Sequence, residues 1–204
     1  MNKTYFTADL HVGHANVLVY DKRPFRDLSH MHEVLINNYN STVGPDDTCF
    51  FLGDIGLGKA GVLGKVVARL HGTKVLILGN HDKNASAMLR LGFDAVLNSA
   101  SLVIAGQLVT MSHCPLRGIF REDVSGMRGA AEGDHWHGES RHAHFSLPDF
   151  GQFHIHGHIH SGPANDKPKS THNQFDVGVA ANNYRPVSMS QLESWIMTER
   201  KRNA

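Results

Sequence analysis

Val75-Leu76-Ile77-Leu78-Gly79-Asn80-His81-Asp82 decides how the chain is read. Four aliphatic residues run without a break into glycine, which suits a strand buried on both faces of a sheet. An amide, an imidazole and a carboxylate then follow at the end of that core strand, where polar groups must find partners. Taken alone, the stretch also reads as an ordinary Gly-Asn turn, with Asp82 capping a helix over 83–91. The same grammar recurs four more times. Tyr5-Phe6-Thr7-Ala8 leads into Asp9-Leu10-His11, and Cys49-Phe50-Phe51-Leu52 into Gly53-Asp54. Leu108-Val109-Thr110-Met111-Ser112 leads into His113, and Phe153-His154-Ile155-His156 into Gly157-His158-Ile159-His160. Functional groups in open α/β sheets gather beyond the carboxyl ends of the strands, so five such exits point to one place.

Asp9, His11, Asp54, Asn80, His113, His158 and His160 make a mixed oxygen and nitrogen ligand set without thiolate. That set suits Mn, Fe, Zn or Co better than Ca or Mg, which want oxygen alone. Asp9 and His11 are two apart, as are His158 and His160, so on extended backbone each pair shares a face. Seven ligands are too many for one tetrahedral ion. They fit two ions sharing a carboxylate, and Asp54 is the carboxylate between the two ligand groups. Two metals about 3.5–4 Å apart clamp a bridging hydroxide and the oxygens of an in-line displacement, which is machinery for hydrolysing phosphate esters.

The order Asp-x-His, Gly-Asp, Gly-Asn-His-Asp, His, Gly-His-x-His over residues 4–160 resembles the calcineurin-like metallophosphoesterases. The resemblance implies a four-layer α/β/β/α sandwich, two mixed β-sheets flanked by helices, with a dinuclear centre. It implies one metal held by Asp9, His11, Asp54 and His160, and a second held by Asp54, Asn80, His113 and His158. Manganese is the first expectation; Fe, Ni, Co and Zn suit the same ligands. His81 would contact the substrate phosphate, and Asp82 would orient His81. A narrower resemblance, to small, poorly characterised phosphoesterases of bacteria and their phages, covers four more stretches. These are Asp9-Leu10-His11-Val12-Gly13-His14-Ala15-Asn16, Tyr20-Asp21-Lys22-Arg23-Pro24-Phe25, Asp176-Val177-Gly178-Val179 and Tyr184-Arg185-Pro186-Val187-Ser188. That group typically carries Asp after Val-Gly-Val, where this chain has Ala180.

The 204 residues suffice for one α/β domain spanning 1–204. A net charge of +1 with no basic stripe argues against long duplex nucleic acid as a partner. No apolar run approaches 18 residues and no leader pattern opens the chain, so the expectation is a cytoplasmic protein without a membrane span. Cys49 and Cys114 are too few for a disulfide framework and read as buried packing. The 16 histidines are the compositional outlier.

Strands are expected at 4–9, 48–52, 74–78, 93–97, 101–105, 107–112, 174–179 and 187–189, with a hairpin turn at Ala105-Gly106. Helices are expected from Ser29 as N-cap, and at 60–70, 85–91 and 190–200. His14, Asn16 and Arg23 are candidate substrate contacts, with Arg26 a solvated alternative. His154 and His156 read as satisfied core histidines. Residues 115–150 read as a lid insertion, in which Arg128 or Arg141 grips the substrate; a further metal at His135-x-His137 lacks a third ligand. The substrate class is a small phosphate mono- or diester, nucleotide-like, and a homodimer is left open. Two other readings use the same residues: a nuclease on single-stranded or short nucleic acid, and a non-catalytic metal-binding scaffold.

Overall fold

The computed structural model describes residues 2–117, 142–162, 165, 167–171 and 173–202. The aliphatic runs build two mixed sheets. In the first, β1 (Thr4–Thr7), β2 (Thr48–Leu52), β3 (Thr73–Ile77) and β4 (Ala95–Leu97) are parallel, and β9 (Val187–Ser188) joins the far side of β1 antiparallel. In the second, β5 (Ala100–Ile104) and β6 (Gln107–Met111) form a hairpin, and β7 (Phe153–His156) and β8 (Gln174–Asp176) continue it in parallel. The hairpin turns through Ala105 (φ 49°) and Gly106 (φ 72°). Two consecutive left-handed residues match the twist of the flanking strands.

Strand alternation sorts the side chains into two cores. Tyr5, Cys49, Phe51 and Leu76 pack under α2 (Leu28–Asn40) and α3 (Ala60–Val67), whose Met31, Leu35, Tyr39, Leu63, Val66 and Val67 are buried against them. Phe6, Ala8, Leu52 and Ile77 on the opposite face meet Val109, Met111, Ile155 and Phe175 of the second sheet. The terminal helix α5 (Met189–Arg202) adds Leu192, Trp195 and Ile196 to this inter-sheet core, with the Trp195 ring edge-on to Phe153. No helix among the described residues is long and apolar enough to cross a membrane.

Two local expectations change and one element is added. The helix expected from Ser29 starts earlier, because Asp27 Oδ1 accepts from His30 N at 2.8 Å and so caps α2. A four-residue helix, α1 (Val17–Tyr20), follows the first motif and has no sequence signature of its own. Asn84, not Asp82, caps α4 (Ala85–Arg90). The core of the expected lid, with Arg128, His135, His137 and Arg141, lies outside the described residues.

The topology gathers six strand exits. β1, β2 and β3 run parallel in one sheet and β6, β7 and β8 in the other, and a parallel bridge from Ala8 to Gly178 joins the two sheets just past their ends.

Candidate metal centre

Beyond β1 the ladder to β2 continues: Asp9 N donates to Gly53 O, His11 N to Asp54 O and Val12 N to Ile55 O. That continuation carries Asp9 and His11 over Asp54. The backbone there is strained. Asp9 (φ 58°), His11 (φ 52°), Asp54 (φ 56°), His158 (φ 71°) and His160 (φ 47°) all adopt left-handed conformations. Side chains other than glycine rarely do so, and strain of this kind collects where surrounding structure enforces it, often at functional sites. Two glycines make room for the crossing. A Cβ on Gly53 (φ 87°) would strike the His113 ring, and one on Gly79 would strike the Asp54 carboxylate.

All seven expected ligands meet, in two clusters joined by Asp54. In the first, His11 Nε2 stands 3.0 Å from His160 Nε2 and 3.7 Å from Asp54 Oδ2. His160 Nε2 stands 3.6 Å from Asp9 Oδ1. In the second, Asn80 Oδ1 lies 2.9 Å from His113 Nε2 and 3.0 Å from His158 Nδ1. His113 Nε2 is 3.5 Å from Asp54 Oδ1.

With the imidazoles neutral, these atoms are short of hydrogens. His113 Nδ1 lies 2.8 Å from the Leu52 carbonyl, which only accepts, so that nitrogen is the donor. In the neutral ring Nε2 is then a bare lone pair facing the Asn80 and Asp54 oxygens. His160 Nδ1 is likewise committed to Asp21, at 2.8 Å from Oδ2. Among the described residues Asp9 Oδ1 is buried without a hydrogen-bond partner. Converging acceptors of this kind can hold a cation, and the donor set fits a divalent transition metal. The electrostatics divide the four imidazoles into two pairs. Burial alone would lower His113, but Asp54 and then Asp9 push it up to about 9. Burial likewise opposes the charged form of His160, yet Asp9 and Asp21 push it up to about 10. For Asp9 the order reverses: burial would raise the carboxyl, and His160 pulls it down to about 2. Burial and the neighbouring imidazoles hold His11 and His158 down at about 3. Neutral imidazole is the form that ligates, so His11 and His158 are ready as they stand, whereas a metal would displace a proton from His113 and His160.

Among the described residues, three compact groups could hold an ion: Asp9, His11 and His160; Asp9, Asp54 and His113; and His113, Cys114 and His158. Cys114 is fully buried, and burial with the Asp54 and Asp9 carboxylates pushes its thiol pKa up, leaving it a neutral neighbour of the centre.

The remaining expected site residues divide. His81 is solvent-open, its Nε2 3.9 Å from Asp54 Oδ2 and its main-chain N bound to Asp54 Oδ1. His14 stands beside it, with Nδ1 3.3 Å from His11 Nδ1. Asn16 is exposed on the loop that opens α1 and makes no side-chain cap. Arg23 is a correction. Its guanidinium is buried and committed to Asp9 O, Leu10 O and the Asp21 carboxylate, so no face remains for a substrate. Asp82 is another. Instead of turning to His81, its carboxylate accepts the backbone amides of Asp54, Ile55 and Gly79, and fastens the exit of β2 to that of β3. Burial, then Asp54, pushes its pKa up to about 6.

Two supporting carboxylates are new. Asp21, held by Arg23, fixes His160 from 139 residues away. Asp176 is fully buried and accepts from Ser161 N and Gly178 N, fastening the His160 loop to the exit of β8. Their only signal was a place in the two stretches, Tyr20 to Phe25 and Asp176 to Val179, that carried the narrower resemblance.

The fold and the site together define a two-sheet α/β protein with a His/Asp cluster that can bind metal. The chain belongs to the family of the gene 66 proteins of mycobacteriophages. It is 32% identical to the L5 protein over 176 residues, 79% of each chain, and 34% identical to the D29 protein over 172 residues. An uncharacterised protein of Methanocaldococcus jannaschii is 41% identical over 85 residues, and the match spans about half (48%) of that protein's length. No family model matches the chain. A solved protein of unknown function from Aquifex aeolicus shares the fold, with a TM-score of 0.65, 22% identity, and coverage of 96% of this chain and 100% of that one. An archaeal phosphodiesterase superposes at a TM-score of only 0.39 with 15% identity, too slight a likeness to carry an argument.

Proposed function

We propose that the chain is a dinuclear metal-dependent phosphoesterase acting on a small phosphodiester or phosphomonoester of nucleotide type. The observation that carries this reading is Asp54, whose two oxygens face different ligand sets: Oδ2 faces His11 and Oδ1 faces His113. Asp9, His11, Asp54 and His160 would hold one ion, and Asp54, Asn80, His113 and His158 the other, with manganese the first candidate. The ions would supply the nucleophile and neutralise charge on the phosphoryl oxygens.

The protein's own part is positioning and proton transfer. The Asp54 contact to His81 N holds the His81 ring at the open mouth. From there it can bear charge from the phosphoryl group or protonate the leaving oxygen. His14 lines the same mouth. Asp82 and Asp176 keep the strand exits in register beneath the ligands, and Arg23 with Asp21 keeps His160 turned inward.

The test is hydrolysis of bis-p-nitrophenyl phosphate and p-nitrophenyl phosphate by metal-stripped protein reloaded with manganese. Turnover is expected in the wild type and is expected to disappear in Asp54→Asn and His81→Ala with the circular dichroism unchanged. Undiminished turnover in both variants would sink the proposal.

A further inference from the structure

A cavity of about 470 Å³ lies beside the centre, between α3 and α4. That volume is within the range of small-molecule pockets. Its floor is apolar, from Leu63 of α3 and Ala87, Met88 and Leu91 at α4, while Lys83 and Arg90 stand on its wall and, among the described residues, no acidic one lines it. None of these side chains has a part in the centre described above.

The cavity is joined to the centre by short stretches of chain. Gly56, on its wall, is two residues past Asp54, and Lys83 is two residues past His81. Consecutive Cα atoms are 3.8 Å apart, so each wall residue lies within about 7.6 Å, Cα to Cα, of its partner in the centre. The loop carrying His11 also leans on this wall: Leu57 N and Gly58 N both donate to Val12 O. A ligand with one phosphate at His81 would have the cavity wall within reach of its remaining atoms.

We propose that this cavity binds the base and sugar of a nucleotide, with Lys83 and Arg90 pairing to a second phosphate. The inference rests on the phosphoesterase reading, and it narrows the substrate to a base-bearing ester with two anionic groups. The apolar floor suits the flat face of a base and has no polar side chain to receive a bare sugar. Two cations with no acidic residue beside them in the described lining suit a second phosphate.

The experiment is binding of mant-ADP to the manganese-loaded full chain, followed by fluorescence, with bis-p-nitrophenyl phosphate turnover measured on the same samples. Lys83→Glu and Arg90→Glu alter exposed side chains and are each expected to weaken binding at least tenfold. Ala87→Trp, which fills the floor, is expected to do the same. No binding by the wild type, or equal binding by the wild type and the Lys83→Glu/Arg90→Glu double variant, overturns the inference; if ester turnover persists, the phosphoesterase reading survives that result. Binding that the charge reversals abolish, in a protein that hydrolyses no ester, supports the cavity as a nucleotide site and overturns the phosphoesterase reading.

Discussion

The two halves of the centre hold their histidines in different ways. In the half built on Asp9, His11 and His160, the outer nitrogen of His160 is fixed by a side chain, Asp21, which Arg23 fixes in turn. In the half built on Asn80, His113 and His158, the outer nitrogen of His113 is fixed by a backbone carbonyl, Leu52 O. An outer partner sets which ring nitrogen keeps its lone pair for the metal. The carboxylate makes its imidazole more basic but depends on a chain of buried charges. The carbonyl is neutral, and no side-chain substitution removes it. The first half should therefore fail by mutation of its supports, and the second only through its ligands or the turn that carries them.

Asp54 belongs to both halves, so its loss should be the largest effect. Asp54→Asn is expected to empty both sites in metal analysis and to lower ester turnover by about 10³-fold or more. Retention of one full metal equivalent would show that the halves are less dependent on each other than the geometry implies.

Arg23→Met should come next, and it should appear as lost stability. Removing one member of a buried ion pair leaves an uncompensated charge and typically costs about 3–5 kcal/mol. Here the two strained-loop carbonyls lose their donor as well. Urea denaturation measures this, and a change below about 1 kcal/mol would mean that the clamp is dispensable. Asp21→Asn keeps the shape and removes the charge. It is expected to weaken manganese binding about 10–100-fold at the first half alone, as other outer-partner substitutions do. Equal weakening at both halves would break the comparison.

What the sequence could show follows the same division. The clustering of the seven residues was legible because each sits in a contiguous pattern, a strand followed by its exit, and the strand pairing then needs no further signal to bring the exits together. The supports were not legible, because they are contacts across the fold. Asp21 serves a histidine 139 residues away, and nothing in the short α1 region announces that. Arg23 reads as an available cation in a loop, and only burial shows that every face of it is used. Asp82 was misjudged for the opposite reason: it adjoins His81 in sequence, but three backbone amides are better placed to receive its carboxylate.

The second half has one weak point of its own, beneath the turn that carries His113. His154 is fully buried there, bonded to Thr110 Oγ1 and Ser112 Oγ and close to Cys114 O, on both sides of the ligand. Burial, and then His156, pushes its imidazole down to about 3, from an ordinary value near 6.5. The folded state thus prefers neutral His154. The stability it contributes is complete above pH 6.5 and is lost as the pH falls from there towards 3. Between pH 7 and pH 5 the loss is about 2 kcal/mol. Denaturant unfolding at the two pH values should show that His154→Gln narrows the difference by about this amount. The metal-free protein is the right sample, because bound metal would add its own pH dependence. If the difference is the same in wild type and variant, the His113 turn does not rest on a neutral His154, and the acid sensitivity of the second half lies in its ligands.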